Sequence, residues 1–502
     1  MMERLHRYDE ELLLLEHTAA VLQWDQETFM PERAVEERSR QLSLLSEMMH
    51  RRITDPEIAA ILHDLGADDA HPSGDPQLDP ADRALVRRWW RQVSRMRKLP
   101  ASWVKEFSEL TSQAQVVWAQ SRRNRDFSRF QTVLERIITM VRKKSELYGY
   151  EAHPYDPLLD EYEPDLTTER VESLFTPLKQ DLVELLRRLE DTPAVEDRFL
   201  YQEYPADLQK HINTMVLEHM GFDWRRGRLD ESAHPFTTAL AADDVRITTR
   251  YHEPSGVSAL FSAVHEGGHA LYEQGARSGP LRGTSLGSGV SLALHESQSR
   301  LWEQMVGRSR EFWIFWFPQF QQLFERQLQG VGLEQFLLAV NRVRPSCIRV
   351  DADEVTYSLH IMLRFELEKA LVSGGLHAAD LPHAWNEQMQ SLVGSVPSHD
   401  GEGVLQDVHW SAGMFGYFPT YALGNLYAAQ LYEQMNREIP DMRGQIVQGS
   451  YGEIHRWLKE QVHQWGGMYS SEELIHRVTG KPLDPGCFTG YLRRKYGVLY
   501  GV

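Results

Sequence analysis

Ala263-Val264-His265-Glu266-Gly267-Gly268-His269-Ala270-Leu271-Tyr272 is the stretch on which the fold of the whole chain turns. On a helix, residues four apart lie one turn apart on the same face, so the imidazoles of His265 and His269 reach one point and Glu266 lies beside it. Two histidines and an interposed glutamate in this order are the layout of a zinc hydrolase. The flanks read as helix: Leu260, Phe261, Val264, Leu271 and Tyr272 form an apolar stripe, with Ser255 as N-cap and Gly275 as stop. Gly267 and Gly268 each cost roughly 1 kcal/mol of helix stability relative to alanine. Stability is conceded beside the metal, where a substrate or a neighbouring backbone has to come close. The competing reading is an amphipathic helix with two surface histidines.

Working outward, Ser291-Leu292-Ala293-Leu294-His295-Glu296-Ser297-Gln298 opens a second helix, capped by Ser291 and striped by Leu294, Leu301, Trp302 and Met305. A catalytic zinc takes three protein ligands and keeps one position open. Glu296 can complete a His-His-Glu set, with His295 beside it as a competing donor. On the other side, Asp244-Val245-Arg246-Ile247-Thr248-Thr249-Arg250-Tyr251 alternates apolar and polar residues, which predicts a half-buried strand just before the metal helix. Such a strand either offers an open edge to an extended peptide or belongs to a small structural sheet. His234-Pro235-Phe236-Thr237 is a loop that could carry His234 toward the site.

The remainder is overwhelmingly helical in pattern. Helix runs from Arg4 to about Glu47, broken near Pro31, with Trp24 and Phe29 as anchors, and Gly66 to Pro80 is a loop. Further helices cover Ala81 to Arg97, Ser102 to Ser121 and Phe127 to Leu147. Tyr155 to Pro164, dense in carboxylates and tyrosines, reads as a solvated loop with two buried rings. Beyond the metal motifs, Ile348-Arg349-Val350-Asp351-Ala352-Asp353 leads into a helix from about Glu354 to Leu371. Gly403 to Trp410 and Gly413 to Tyr421 bring together glycines, a histidine and tyrosines, which would suit polar donors around a substrate carbonyl or a satisfied core cluster.

With 502 residues, 42% of them hydrophobic, the chain can bury a large core in one or two closely packed lobes. A net charge of -18 argues against nucleic acid and anionic membranes as partners. Two cysteines cannot build a disulfide framework and fit a cytoplasmic protein. The N-terminal residues are too charged for a signal sequence, and no stretch approaches the roughly 20 apolar residues that span a bilayer.

Five stretches in order resemble the thermostable carboxypeptidase family typified by carboxypeptidase Taq: Asp244-Val245-Arg246-Ile247-Thr248, His265-Glu266-Gly267-Gly268-His269, His295-Glu296-Ser297-Gln298, Ile348-Arg349-Val350-Asp351-Ala352-Asp353 and Gly403-Val404-Leu405-Gln406-Asp407-Val408-His409-Trp410. The resemblance implies a mainly α, two-lobed helical metallopeptidase with a deep central groove, a small β-sheet beside the HEXXH helix, and a homodimeric assembly. Residues 1–502 would form a single peptidase unit, with 1–150 as a helical N-terminal lobe or lid and 151–502 as the catalytic region. His265, His269 and Glu296 would bind zinc, or cobalt in some members, and His295 becomes a neighbour of the site. The activity implied is release of single amino acids from free peptide C-termini with broad specificity.

In that reaction Glu266 takes the proton of the attacking metal-bound water and passes it to the leaving amine. Arg349 is the candidate for the substrate's terminal carboxylate, because a guanidinium binds a carboxylate through two parallel hydrogen bonds; the competing role is a salt bridge with Asp351 or Asp353. By resemblance to related helical zinc peptidases, His409 and Tyr421 would donate to the developing oxyanion, with Tyr417 as fallback, and His234 would hold substrate backbone. A carboxylate orienting one metal histidine is expected, but no residue is singled out for it. The rival readings are a zinc oligopeptidase or endopeptidase cutting internally, and a non-catalytic helical scaffold.

Overall fold

The N-terminal helical pattern resolves into two helices, Met2–Thr28 and Val35–Ile53, separated at Pro31 by one 3-10 turn, Glu32–Ala34. The computed structural model describes every residue from Met1 to Val502. Trp24 is buried as expected, but Phe29 lies at the end of its helix, 59% exposed, with its ring edge-on to Trp24. Elsewhere the helix ends follow local chemistry. Thr167 accepts the Arg170 N–H ahead of Thr168–Glu190, and the helix Ser128–Tyr148 stops at Gly149, whose φ of 83° a residue with a side chain rarely adopts. Asp353 accepts the N–H groups of Val355 and Thr356, so the next helix begins at Tyr357 rather than Glu354 and runs to Ser373.

Tyr155 to Pro164 is not a solvated loop. Asp156–Leu159 forms a short helix, and Tyr155, Leu158 and Leu159 are buried. Its carboxylates are paired as well: Glu161 holds Lys144 at 2.5 Å and accepts from Tyr148 Oη at 3.0 Å.

The single sheet has three strands, β1 (Gly227–Glu231), β2 (Thr237–Ala241) and β3 (Asp244–Thr249), in the order β1-β3-β2. β3 runs parallel to β1, with Val245 opposite Gly227, and antiparallel to β2, with Ile247 opposite Thr237. The alternating stretch is therefore the central strand, which agrees with the reading of a small structural sheet and not with that of an open edge. Alternation reports which face of a strand is buried and is silent about its neighbours in the hydrogen-bonding plane. Val245 and Ile247 are fully buried, and β3 packs against the helix that carries His265 and His269.

The chain forms two compact units. The first comprises Met1–Arg97, Glu196–Val340 and Ala428–Pro482, and contains the sheet and both metal helices. Part of its core joins Leu5, Leu12, Ile58, Leu62 and Trp89 to Leu281 and Leu286; the buried Asp9 serves this core by accepting from Trp89 Nε1 at 2.9 Å and from the Ser285 N–H at 2.8 Å. The second comprises Lys98–Val195, Asn341–Tyr427 and Leu483–Val502, and is helical throughout. The segment 1–150 expected as an N-terminal lobe is thus shared, its first 97 residues in one unit and the rest in the other. No helix is long and apolar enough to cross a membrane.

Candidate active site

The HEGGH helix spans Ser258–Ala276. Ser255 contributes at its start by accepting the Ser258 N–H at 3.3 Å, but Gly275 does not stop it. A Cβ on Gly275 would stand 2.6 Å from His463 Cβ, so this glycine is there for packing. Gly268 has the same kind of role beside the metal motif: a Cβ would stand 2.7 Å from Gln298 O and Ser299 Cα, backbone atoms of the second metal helix, Leu292–Arg300. The helix propensity lost at Gly268 is the condition for the two helices to touch where the ligands meet.

There, His265 Nε2 lies 3.8 Å and His269 Nε2 3.6 Å from Glu296 Oε2, and the three groups offer ligand atoms all within 4.8 Å of one another. A tetrahedral ion with bonds of about 2.1 Å sets its ligands about 3.4 Å apart, so the set fits zinc without rearrangement of the backbone. Two of the three are also turned the right way by a partner. His265 Nδ1 faces Glu303 Oε2 at 3.0 Å, which leaves Nε2 for the ion, and Arg300 Nε donates to Glu296 Oε1 at 2.6 Å, which leaves Oε2. Burial works against the Glu296 carboxylate, but Arg300, His265 and His269 hold its pKa well below the usual range, so it is ready as an anionic ligand.

Glu303 is the carboxylate placed to orient His265, the first candidate ligand. It sits in a π-helical continuation of the second metal helix, Leu301–Gly307, and is held at a pKa of about 2 against its burial by His265, Arg300 and Arg308. His295 is engaged elsewhere: its Nε2 lies 3.0 Å from Glu273 Oε1, and its ring stacks on His269 at 4.3 Å. Glu266 is buried, and burial pushes its pKa up. Thr237 Oγ1 on β2 donates to its Oε2 at 2.6 Å and lies 3.0 Å from its main-chain carbonyl oxygen, fixing the side chain of the candidate base.

In the second unit Arg349 is buried, but its partner is neither Asp351 nor Asp353. Nε and Nη2 both donate to Asp407 Oδ1, at 3.0 and 2.8 Å, and Nη1 lies 3.3 Å from Tyr357 Oη. The other oxygen of Asp407 is gripped by Arg364, through Nε at 2.7 Å and Nη2 at 2.6 Å. Two guanidinium groups thus share one carboxylate, and that carboxyl is held far below the usual range despite burial. His409 is kept neutral, its pKa lowered to about 4 by burial and by the two arginines. Its Nε2 lies 3.4 Å from Tyr421 Oη, and the Tyr417 ring lies 5.3 Å from the His409 ring and 5.2 Å from that of Tyr421. His234 is exposed on the turn before β2, where its carbonyl accepts from Ser232 Oγ.

The structure therefore brings His265, His269, Glu296 and Glu266 together in one unit, and Arg349, His409, Tyr417 and Tyr421 together in the other. Thr237, Glu303, Arg364 and Glu368 had no assigned role in the sequence. For Arg364 and Glu368 a signal existed: both lie inside Leu359 to Leu371, otherwise rich in Ile, Met, Leu and Phe, and a charge in such surroundings has to be paired. Glu303, seven residues after Glu296, offered only its spacing.

Over residues 4–496 the sequence matches the family described as Carboxypeptidase Taq (M32) metallopeptidase. It is 40% identical to thermostable carboxypeptidase 1 of Thermus thermophilus over 99% of both chains, and 36% identical to carboxypeptidase 1 of Bacillus subtilis over 100% of this chain and 97% of that one. The fold superimposes on the crystal structure of the M32 carboxypeptidase from Deinococcus radiodurans with a TM-score of 0.95 at 38% identity, covering 100% of this chain and 99% of that one. The Pyrococcus furiosus carboxypeptidase gives a TM-score of 0.94 at 37% identity over 99% and 98%. With the five motifs in order, the convergent His-His-Glu set and full-length likeness in both sequence and fold, the chain belongs to the carboxypeptidase Taq (M32) metallopeptidase family and is a metallocarboxypeptidase.

Proposed function

We propose that the enzyme releases single amino acids from the free C-terminus of peptides with broad specificity, using a zinc ion, with cobalt as a possible substitute, held by His265, His269 and Glu296. When bound, the ion supplies Lewis acidity, polarising the scissile carbonyl and acidifying the attacking water. Glu266, raised in pKa by burial and steadied by Thr237, accepts the proton of that water and delivers it to the leaving nitrogen. His409 and Tyr421 donate hydrogen bonds to the carbonyl oxygen as it gains charge, with Tyr417 as the substitute donor. His234 holds substrate backbone. The two compact units act as one peptidase in a cytoplasmic homodimer.

The observation that carries the exopeptidase reading is the charge balance at Asp407. Two buried guanidinium groups meet this one carboxylate, and buried charges call for partners. Arg349 has only one oxygen of this shared carboxylate, while Arg364 also has the buried Glu368 one turn along its helix, so a substrate's terminal carboxylate bound at Arg349 gives that guanidinium a second partner.

The test is mass spectrometry of a free peptide and its C-terminally amidated twin, incubated with metal-loaded and with chelated protein. The expected result is a metal-dependent ladder that loses one residue at a time from the free peptide only. Internal cuts in both peptides would turn the reading into that of an endopeptidase, and cleavage that survives chelation would remove the metal from it.

A further inference from the structure

His409 is weakly held by its own side chain. Nδ1 is buried without a partner, and Nε2 has only the long 3.4 Å approach of Tyr421 Oη. Its ring packs on Phe418 at 4.5 Å and lies 5.3 Å from Tyr417, both farther along the same segment, so the position of the ring depends on how that segment is held. That segment is anchored by two buried charged residues one turn apart on the Tyr357–Ser373 helix. Arg364 grips Asp407, two residues before His409. Glu368, fully buried, accepts from Trp410 Nε1 at 2.7 Å through Oε1, and from the Gly416 N–H at 2.9 Å and Tyr155 Oη at 2.5 Å through Oε2. Trp410 directly follows His409, and Gly416 directly precedes Tyr417. The backbone turns tightly at Gly416, at a φ of +92°.

We infer that Glu368 is a positioning residue for the reaction: by holding Trp410, Gly416 and Tyr155 at once, it sets the place of the His409 ring. This rests on the reading of His409 as a donor to the carbonyl oxygen. A merely space-filling role is a poor account of the site, because a buried carboxylate is costly and an apolar residue would fill the space without that cost. The carboxylate instead offers three donors the acceptors they need, at two oxygens whose geometry is rigid.

Glu368→Gln keeps the shape and breaks the accounting of donors. With its oxygen serving Tyr155 and Gly416, the amide nitrogen points at Trp410 Nε1, donor against donor. On a free-C-terminus peptide at saturating metal, Glu368→Gln is expected to lower kcat about 10- to 100-fold while KM changes less than about threefold and metal content stays the same. Glu368→Gln combined with Trp410→Phe removes the clashing donor and should regain at least about fivefold of the lost kcat. In a His409→Ala background, Glu368→Gln should cost almost nothing further, whereas a general structural defect would lower kcat in both backgrounds.

Should Glu368→Gln fail to fold, Tyr155→Phe and Trp410→Phe each remove one donor from Glu368, and each is expected to lower kcat several-fold at unchanged KM. Wild-type kcat in the folded variants, or additive losses with His409→Ala, overturns the inference. Wild-type kcat in His409→Ala alone overturns the reading beneath it, so the two failures are separable.

Discussion

Around His265 and His269, three carboxylates, Glu266, Glu296 and Glu303, face two guanidinium groups, Arg300 and Arg308; around Arg349 the arrangement is reversed, with Arg349 and Arg364 sharing the single carboxylate of Asp407. Both clusters are buried, and buried charge is tolerated only when it is matched. The unmatched remainder in each is therefore informative. Excess negative charge beside two imidazoles suits a dication, and a guanidinium that shares its one carboxylate, beside a neutral histidine and tyrosines, suits an anion. The two clusters also differ in how they are built. The candidate metal ligands come from two touching helices close in sequence, whereas the arginine cluster gathers residues up to 58 positions apart.

The contrast is broken most severely by removing the base at the first cluster. Glu266→Gln should retain metal stoichiometry and lose about a thousandfold or more in kcat; activity near wild type would place the base elsewhere. At the second cluster, Arg349→Ala should lower kcat/KM for a free-C-terminus peptide by about 2–4 kcal/mol, roughly 30- to 1000-fold, while metal affinity measured by chelator competition is unchanged. An equal loss on an amidated peptide would show that Arg349 does not read the terminal carboxylate. The smallest effect is expected at Glu303. Glu303→Gln should weaken metal binding about 10- to 100-fold, with kcat largely restored once metal is saturating. Unchanged metal affinity would reduce its contact with His265 to an incidental one.

Much of this was legible along the chain because the chemistry is local. His265, Glu266 and His269 are placed by helical geometry alone, Ser291 caps its helix by accepting the Leu294 N–H, and the motif with Glu296 follows within thirty residues. The same local logic failed where burial or pairing was decided from a distance. Phe29 reads as an anchor but is exposed, and Tyr155 to Pro164 reads as a solvated loop with two buried rings, where Tyr155 is indeed buried but the segment folds into a short helix and Glu161 is paired. Arg349 has two aspartates within four residues and pairs with neither, because Asp407 can serve it and Arg364 together.

By itself, then, the sequence determined the helical character, the candidate metal ligands, the candidate base and the family, all of which rest on spacing within one or two turns or on motifs in order. Tertiary structure alone decided that β3 is a central strand, that Glu303 meets Nδ1 of His265, that Asp407 is shared, and that Glu368 gathers Tyr155, Trp410 and Gly416. Tyr155 and Glu368 are 213 residues apart. Side-chain periodicity records which face of an element is buried, whereas a hydrogen bond between distant segments depends on where the folded chain brings them, and no local pattern carries that.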